Sequence, residues 1–216
     1  MVMARTWQGL LPAAVASSST KDYPAQYKGI APGAKIINLN VLNELGSGFT
    51  SSVLQALDWC IQNKVKYNIR VINLSLGHPV YESYKTDPLC QMVERCVANG
   101  IMVVAAAGNY GKAGDGSTVY GGITSPGNGP AVITVSAVNT HDMAARSDDT
   151  IATYSSRGPT AVDGLIKPDI VAPGNKVISI ANPKCTLFNT YSNYIAWAAK
   201  GRPQDALYYI MSRTSI

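Results

Sequence analysis

Ile101 to Gly111 reads I-M-V-V-A-A-A-G-N-Y-G, and this stretch decides the fold. Two valines and three small alanines in an unbroken apolar run describe a strand buried on both faces, the signature of a parallel sheet. The run stops at Gly108-Asn109, where the chain has to turn. In open α/β sheets, ligands sit beyond the carboxyl ends of such strands. Asn109 therefore stands where chemistry would be done, and a side-chain amide there can donate to charge developing on a substrate oxygen. A lone A-G-N is equally the mark of a residue that only shapes a turn, so the neighbouring sequence has to decide.

Upstream, Lys35 to Leu42 (K-I-I-N-L-N-V-L) and Arg70 to Leu76 (R-V-I-N-L-S-L) read as strands. Between them, Thr50, Ser51 and Ser52 are candidate caps for a helix over 51–66, with Val53, Leu54, Leu57, Ile61 and Val65 on its buried side. Asp87-Pro88 is a cap followed by proline at the first helical position, opening a helix over 88–99 that Gly100 stops. Its apolar stripe is Leu89, Met92, Val93, Cys96 and Val97. Ala131 to Val138 and Lys176 to Ile180 are further strands. Strand–helix–strand–helix–strand at this spacing makes an α/β fold with a parallel, doubly wound sheet, in which 35–42, 70–76, 101–107 and 131–138 are expected as neighbours. Met1 to Gln26 is atypical, and the stretch from Asn182 onward shows no clear period.

Composition narrows the function. With 216 residues, 46% hydrophobic, the chain is most simply one domain with a real core. The net charge of +5 is spread along the sequence, so no nucleic-acid surface is read. No apolar stretch is long enough to cross a membrane. Cys60, Cys90, Cys96 and Cys185 have neither metal-ligand spacing nor the density of a disulfide framework. No metal site and no cofactor site is specified. Gly9 to Ala16 is too short and Pro-broken for an export signal, and the compartment is left open. A monomer is the expected state.

Six stretches carry a resemblance. They are Y-K-G-I-A-P-G-A at 27–34, V-I-N-L-S-L-G at 71–77, V-V-A-A-A-G-N at 103–109, S-P-G at 125–127, Y-S-S-R-G-P at 154–159 and K-P-D-I-V-A-P-G at 167–174. In this order they resemble the subtilisin-like serine proteases, or subtilases. The resemblance implies a three-layer sandwich with helices on both faces of the sheet, here incomplete, with 27–216 as a partial peptidase domain. It makes Asn109 the side-chain donor of an oxyanion hole. It makes Ser75-Leu76-Gly77 and Ala106-Ala107-Gly108 the walls of a cleft for a peptide or protein substrate, paired by strand addition. A floor of small residues would admit large apolar side chains. Ser125-Pro126 is expected to be cis. Calcium enters only through the resemblance.

The family reaction is peptide-bond hydrolysis by an Asp-His-Ser triad. The ending Met211-Ser212-Arg213-Thr214-Ser215-Ile216 resembles the family's L-S-G-T-S-M, with Ser215 in the nucleophile's place and Arg213 where the family has glycine. The Ser215 hydroxyl is expected within roughly 8 Å of the Asn109 side chain. No aspartate motif of the family is present. His78 lies in a G-H-P turn and His141 in a polar loop, neither in H-G-T-H. The expectation is a serine endopeptidase domain that is inactive as written. The alternative is a non-catalytic peptide-binding pseudoprotease. A nucleotide-binding α/β enzyme is disfavoured, because no G-x-G-x-x-G follows the first strand and Lys112 is followed by Ala113.

The first residues carry the missing histidine motif in another reading frame. If Met1 to Gly9 is encoded ATG-GTC-ATG-GCA-CGC-ACG-TGG-CAG-GGC, reading from the third base gives G-H-G-T-H-V-A-G. The Met and Trp codons end in G and force Gly, Gly and Ala at their places; every other place permits the required residue. Residues 1–26 are thus expected to be an out-of-frame translation. Sequencing the coding DNA checks this: those codons should occur at 1–9, with an in-frame D-S-G or D-T-G upstream. Other wobble bases at these positions would end the idea.

Overall fold

The computed structural model describes residues 2–3, 30–31, 33–43, 45–143, 145–180, 190, 192–196 and 208–215. Among these, strands β1 (Val2–Met3), β2 (Ile37–Asn38), β3 (Val71–Leu74), β4 (Met102–Ala106), β5 (Ile133–Asn139), β6 (Thr150–Ile151) and β7 (Ile170–Pro173) form one sheet. Its order is β2-β1-β3-β4-β5-β6, with β7 also on β5. All its pairings are parallel except β5 with β6. This is the mostly parallel α/β sheet expected.

Helices α1 (Thr50–Tyr67) and α2 (Pro88–Ala98) are the crossovers into β3 and β4's neighbourhood. They pack together on the sheet face that carries Ile72, Leu74, Val103 and Ala105. Alternation sends Val71, Met102, Val104, Ile133, Val135 and Ile170 to the opposite face, where each is half-buried or exposed. The core itself is Val53, Leu57 and Cys60 from α1, and Leu89, Val93 and Cys96 from α2, against that first face.

Helix α2 keeps the expected start: the Asp87 side chain accepts from Leu89 N–H at 2.8 Å and Pro88 follows. It stops at Gly100, whose φ of +70° is left-handed and costs glycine little. Helix α1 differs from expectation. Its N-cap is Phe49, with no side-chain cap, rather than one of Thr50, Ser51 and Ser52. Val65 is 92% exposed, because it lies roughly a quarter to a third of a turn round the helix from the side that carries Val53, Leu57 and Cys60.

Three further differences have physical causes. Residues 37–38 do not adjoin 71–74. The two-residue β1 lies between them and pairs with both, Val2 opposite Ile37 and Ile72. A two-residue strand is too short to leave a periodic signal, so the opening stretch gave no sign of it. The stretch after 182 contributes β9 (Ile195–Ala196) and β10 (Tyr208–Met211), a three-stranded antiparallel sheet with β8 (Val177–Ile180) in the order β8-β10-β9. Tyr208 and Tyr209 are both buried, which erases the alternation that would announce a strand. K-P-D-I-V-A-P-G, singled out only as a motif, contains β7.

Ser125–Pro126 is cis, as expected; Gly158–Pro159 and Lys167–Pro168 are also cis. Of the cysteines, Cys60, Cys90 and Cys96 are buried and free, and Cys185 lies outside the described residues. No described helix is long and apolar enough to cross a membrane.

The loop before α2 is clamped to the loop after Pro159. Ser83 Oγ donates to Asp163 Oδ1 at 2.5 Å and Tyr84 N–H to Oδ2 at 3.0 Å. The Ser83 hydroxyl, then the Tyr84 amide, hold the Asp163 carboxyl below the usual carboxylate range. A depressed folded-state value means the clamp stabilises the fold above the unfolded value of about 3.9 and is lost as pH falls through the lowered one. The Tyr84 amide resonance should therefore shift with an acid midpoint below pH ~3.9, and Asp163→Asn should remove that titration. Leu57, 2% exposed on the inner side of α1, tests the core. Leu57→Ala should cost about 2–5 kcal/mol in urea unfolding, from lost transfer energy and the cavity left behind.

Candidate functional site

The site is built around the backbone that leaves β4. Ala107 N–H donates to Val135 O at 2.9 Å and Ala107 O accepts from Thr124 N–H at 3.0 Å, so both polar backbone groups are used. At Gly108 the chain turns with φ +107°, and Gly108 O accepts from Ser156 N–H at 2.9 Å. Tyr110 N–H donates to Ser156 Oγ at 3.0 Å, which fixes the far side of the turn. A Cβ at Gly108 would lie 2.8 Å from both Ser156 Oγ and Thr124 Cγ2. Only glycine fits, in conformation and in space.

Asn109 follows, half-buried, and its side-chain oxygen is held twice. Thr214 N–H donates to Asn109 Oδ1 at 3.1 Å, and Thr214 Oγ1 donates to the same atom at 3.2 Å. Gly108 N–H in turn donates to Thr214 Oγ1 at 3.2 Å. A backbone N–H can only donate, so the atom it meets is the oxygen, and the amide nitrogen Nδ2 is turned the other way. Among the described residues Nδ2 has no hydrogen-bond partner, which leaves it available to a ligand.

The segment that carries Thr214 is pinned on its other side. Arg213 N–H donates to Gly174 O at 3.0 Å, and Lys176 N–H donates to Ser212 Oγ at 2.9 Å. Tyr154 OH also donates to Gly174 O, at 2.7 Å, and burial pushes that phenol up to about 12, so it remains a donor. Ser215, half-buried, is the residue after Thr214, so its Cα lies about 3.8 Å from that of the residue bonded to Asn109. Thr214 was not among the residues singled out from the sequence. It stood inside the quoted S-R-T-S, but spacing within that motif says nothing of a partner 105 residues away.

The other wall, Ser75-Leu76-Gly77, leaves β3 beside the first. Ser75 Oγ accepts from Asn73 Nδ2 at 2.8 Å. A Cβ at Gly77 would lie 2.6 Å from Ser125 O and 2.8 Å from Thr124 Oγ1. His78 N–H donates to Ser125 O at 3.1 Å and Ser125 N–H to His78 O at 3.0 Å. Thr124 and Ser125 thus span the floor, bonded to Ala107 on one side and to His78 on the other.

Neither histidine joins this group. His78 Nδ1 is 2.8 Å from Pro79 O and its ring stacks on Tyr81 at 6.0 Å. His141 Nε2 is 2.9 Å from Thr150 Oγ1. Among the described residues neither is hydrogen-bonded to Asn109, Thr214 or Ser215. Among the described residues no three His, Cys, Asp or Glu side chains that could hold a metal stand together.

Comparison with known proteins places this arrangement. The profile of the Subtilase family matches residues 9–216, starting ahead of the boundary expected at Tyr27. Serine protease AprX of Bacillus subtilis (strain 168) is 39% identical over 209 residues, covering 93% of this chain and 43% of that protein. Subtilisin E of the same organism is 36% identical over 152 residues, covering 70% of this chain and 33% of that protein. Among solved structures, S41 psychrophilic protease superposes with a TM-score of 0.60 at 28% identity, over 87% of this chain and 52% of its own. Sphericase does so with a TM-score of 0.60 at 26% identity, over 88% and 53%. The chain spans about half, or less, of the length of these relatives. With the sheet, the two walls and the profile match in agreement, the chain belongs to the subtilase family.

Proposed function

We propose that this chain is the substrate cleft and oxyanion-hole portion of a subtilisin-like serine endopeptidase domain, and that it binds extended peptides without cutting them. The observation that carries the reading is the double hold on Asn109 Oδ1 by Thr214, which turns Nδ2 to the side opposite Thr214. In the family reaction a serine oxygen adds to the peptide carbonyl carbon, and the carbonyl oxygen becomes an oxyanion. Asn109 Nδ2 would donate to that oxygen, and its fixed orientation means no reorganisation is needed when charge develops. One such donor is worth about 10²–10³ in kcat, a magnitude whose type case is subtilisin, a relative of this chain.

Ser215 takes the nucleophile's place, one residue beyond Thr214. Its hydroxyl proton must pass to a base as the carbon–oxygen bond forms. Both histidines are engaged elsewhere, so these residues provide no proton acceptor at that point. What remains is binding. An extended peptide would lie between 75–77 and 106–108, exchanging backbone hydrogen bonds with both, and a large apolar side chain would enter toward Thr124 and Ser125. Binding without cleavage is the behaviour of a non-catalytic peptide-binding module, and the engagement of both histidines favours it. A stably folded chain that binds peptide would support it.

Purified chain should bind a fluorescent extended peptide carrying a phenylalanine, read by anisotropy, and mass spectrometry should find that peptide intact. Backbone N-methylation at the pairing positions should weaken binding tenfold or more, because strand addition depends on those N–H groups. Cleavage that Ser215→Ala abolishes would overturn the inactive reading, and N-methylated peptide binding as tightly as the parent would overturn the cleft.

A further inference from the structure

The N-cap of α2 also reaches into the floor of the cleft. Asp87 is 2% exposed, and its two carboxylate oxygens go to different places. Oδ1 accepts from Leu89 N–H at 2.8 Å, the ordinary work of a cap. Oδ2 accepts from Ser125 Oγ at 2.6 Å, and Ser125 is fully buried. A cap needs only one oxygen. The second ties the start of a helix to the cis turn that forms the floor.

Backbone bonds also hold this turn, and the Asp87 carboxylate is the charged group that meets the Ser125 hydroxyl. Ser125 is the residue whose backbone pairs with His78 of one wall, and its neighbour Thr124 bonds Ala107 of the other. Thr124 also sits against both wall glycines, 2.8 Å from an ideal Cβ at Gly77 and 2.8 Å from one at Gly108. A shift of Ser125 would therefore change the separation of the walls. The surroundings leave Asp87 its claim on the hydroxyl. Burial, and then the Asp87 charge, push the Cys90 thiol beside it up to about 12. Cys90 stays neutral and donates to Asn128 Oδ1 at 3.3 Å.

We infer that Asp87 is a positioning residue for substrate selection: through Ser125 it sets the depth of the pocket between the two walls and so the size of the side chain admitted. The inference rests on the peptide-cleft reading above. It concerns which side chain is preferred and not whether peptide binds.

Three variants separate this role from capping. Asp87→Ser keeps a cap but is too short to reach Ser125. Ser125→Ala removes the same bond from the other end. Asp87→Asn retains both contacts, its oxygen accepting from Leu89 and its amide nitrogen donating to Ser125 Oγ. The readout is the ratio of dissociation constants for two otherwise identical peptides, with alanine or phenylalanine at the pocket residue, alongside urea midpoints. The natural chain should prefer phenylalanine by roughly tenfold or more, as burial of a large apolar side chain implies. Asp87→Ser should lose most of that preference while holding the alanine peptide within about threefold, Ser125→Ala should lose the preference as well, and Asp87→Asn should keep it. Folded Asp87→Ser or Ser125→Ala protein with full preference would overturn the inference, as would an Asp87→Asn that loses it. If the natural chain binds neither peptide, the cleft reading falls and this inference with it.

Discussion

Position 108 has no room for a side chain. A Cβ there would meet Ser156 Oγ and Thr124 Cγ2 at 2.8 Å, and the backbone stands at φ +107°. The close approach brings three separate loops onto one turn. Thr124 reaches it from the cis-proline loop, Ser156 from the loop after β6, and Thr214 from beyond β10. Each bonds the backbone of 107–110 directly, so the orientation of Asn109 follows from that packing more than from Asn109 itself. Alanine or anything larger at 108 would move Thr124 and Ser156 outward, and the floor of the cleft would move with them.

Much of this was legible in the amino-acid sequence because it depends on local chemistry. The run before Gly108 reads as a strand of a parallel sheet, although its Met102 and Val104 face is exposed or half-buried rather than covered, and Asp87-Pro88 reads as a cap and the first position of a helix. Asn109 could be named because the turn residue after a parallel strand has a fixed place in such folds. What escaped is non-local. Thr214 is anonymous in the sequence, since its importance comes from folding back onto a turn formed much earlier in the chain. The second oxygen of Asp87 is equally silent, because a cap and a cap that also holds a floor read identically. Tyr208 and Tyr209 hid a strand by both being buried, and Val65 mimicked a core residue because it follows Leu57 and Ile61 at steps of four, which drift round the helix away from Val53 and Cys60. β1 was missed because two residues have no period.

The bond between Thr214 and Asn109 closes a loop of 105 residues. In chain-entropy terms, closing a flexible loop of that length costs about 4 kcal/mol beyond a constant. Two hydrogen bonds at a net ~1 kcal/mol each do not offset it. The contact can persist only because the β8–β10 ladder and the core have already brought the two segments together. The aim of the Asn109 amide therefore depends on structure that does not depend on it. The chain would give up a defined donor direction while its core was still intact, and the chemistry of the site would be the least stable part of the molecule.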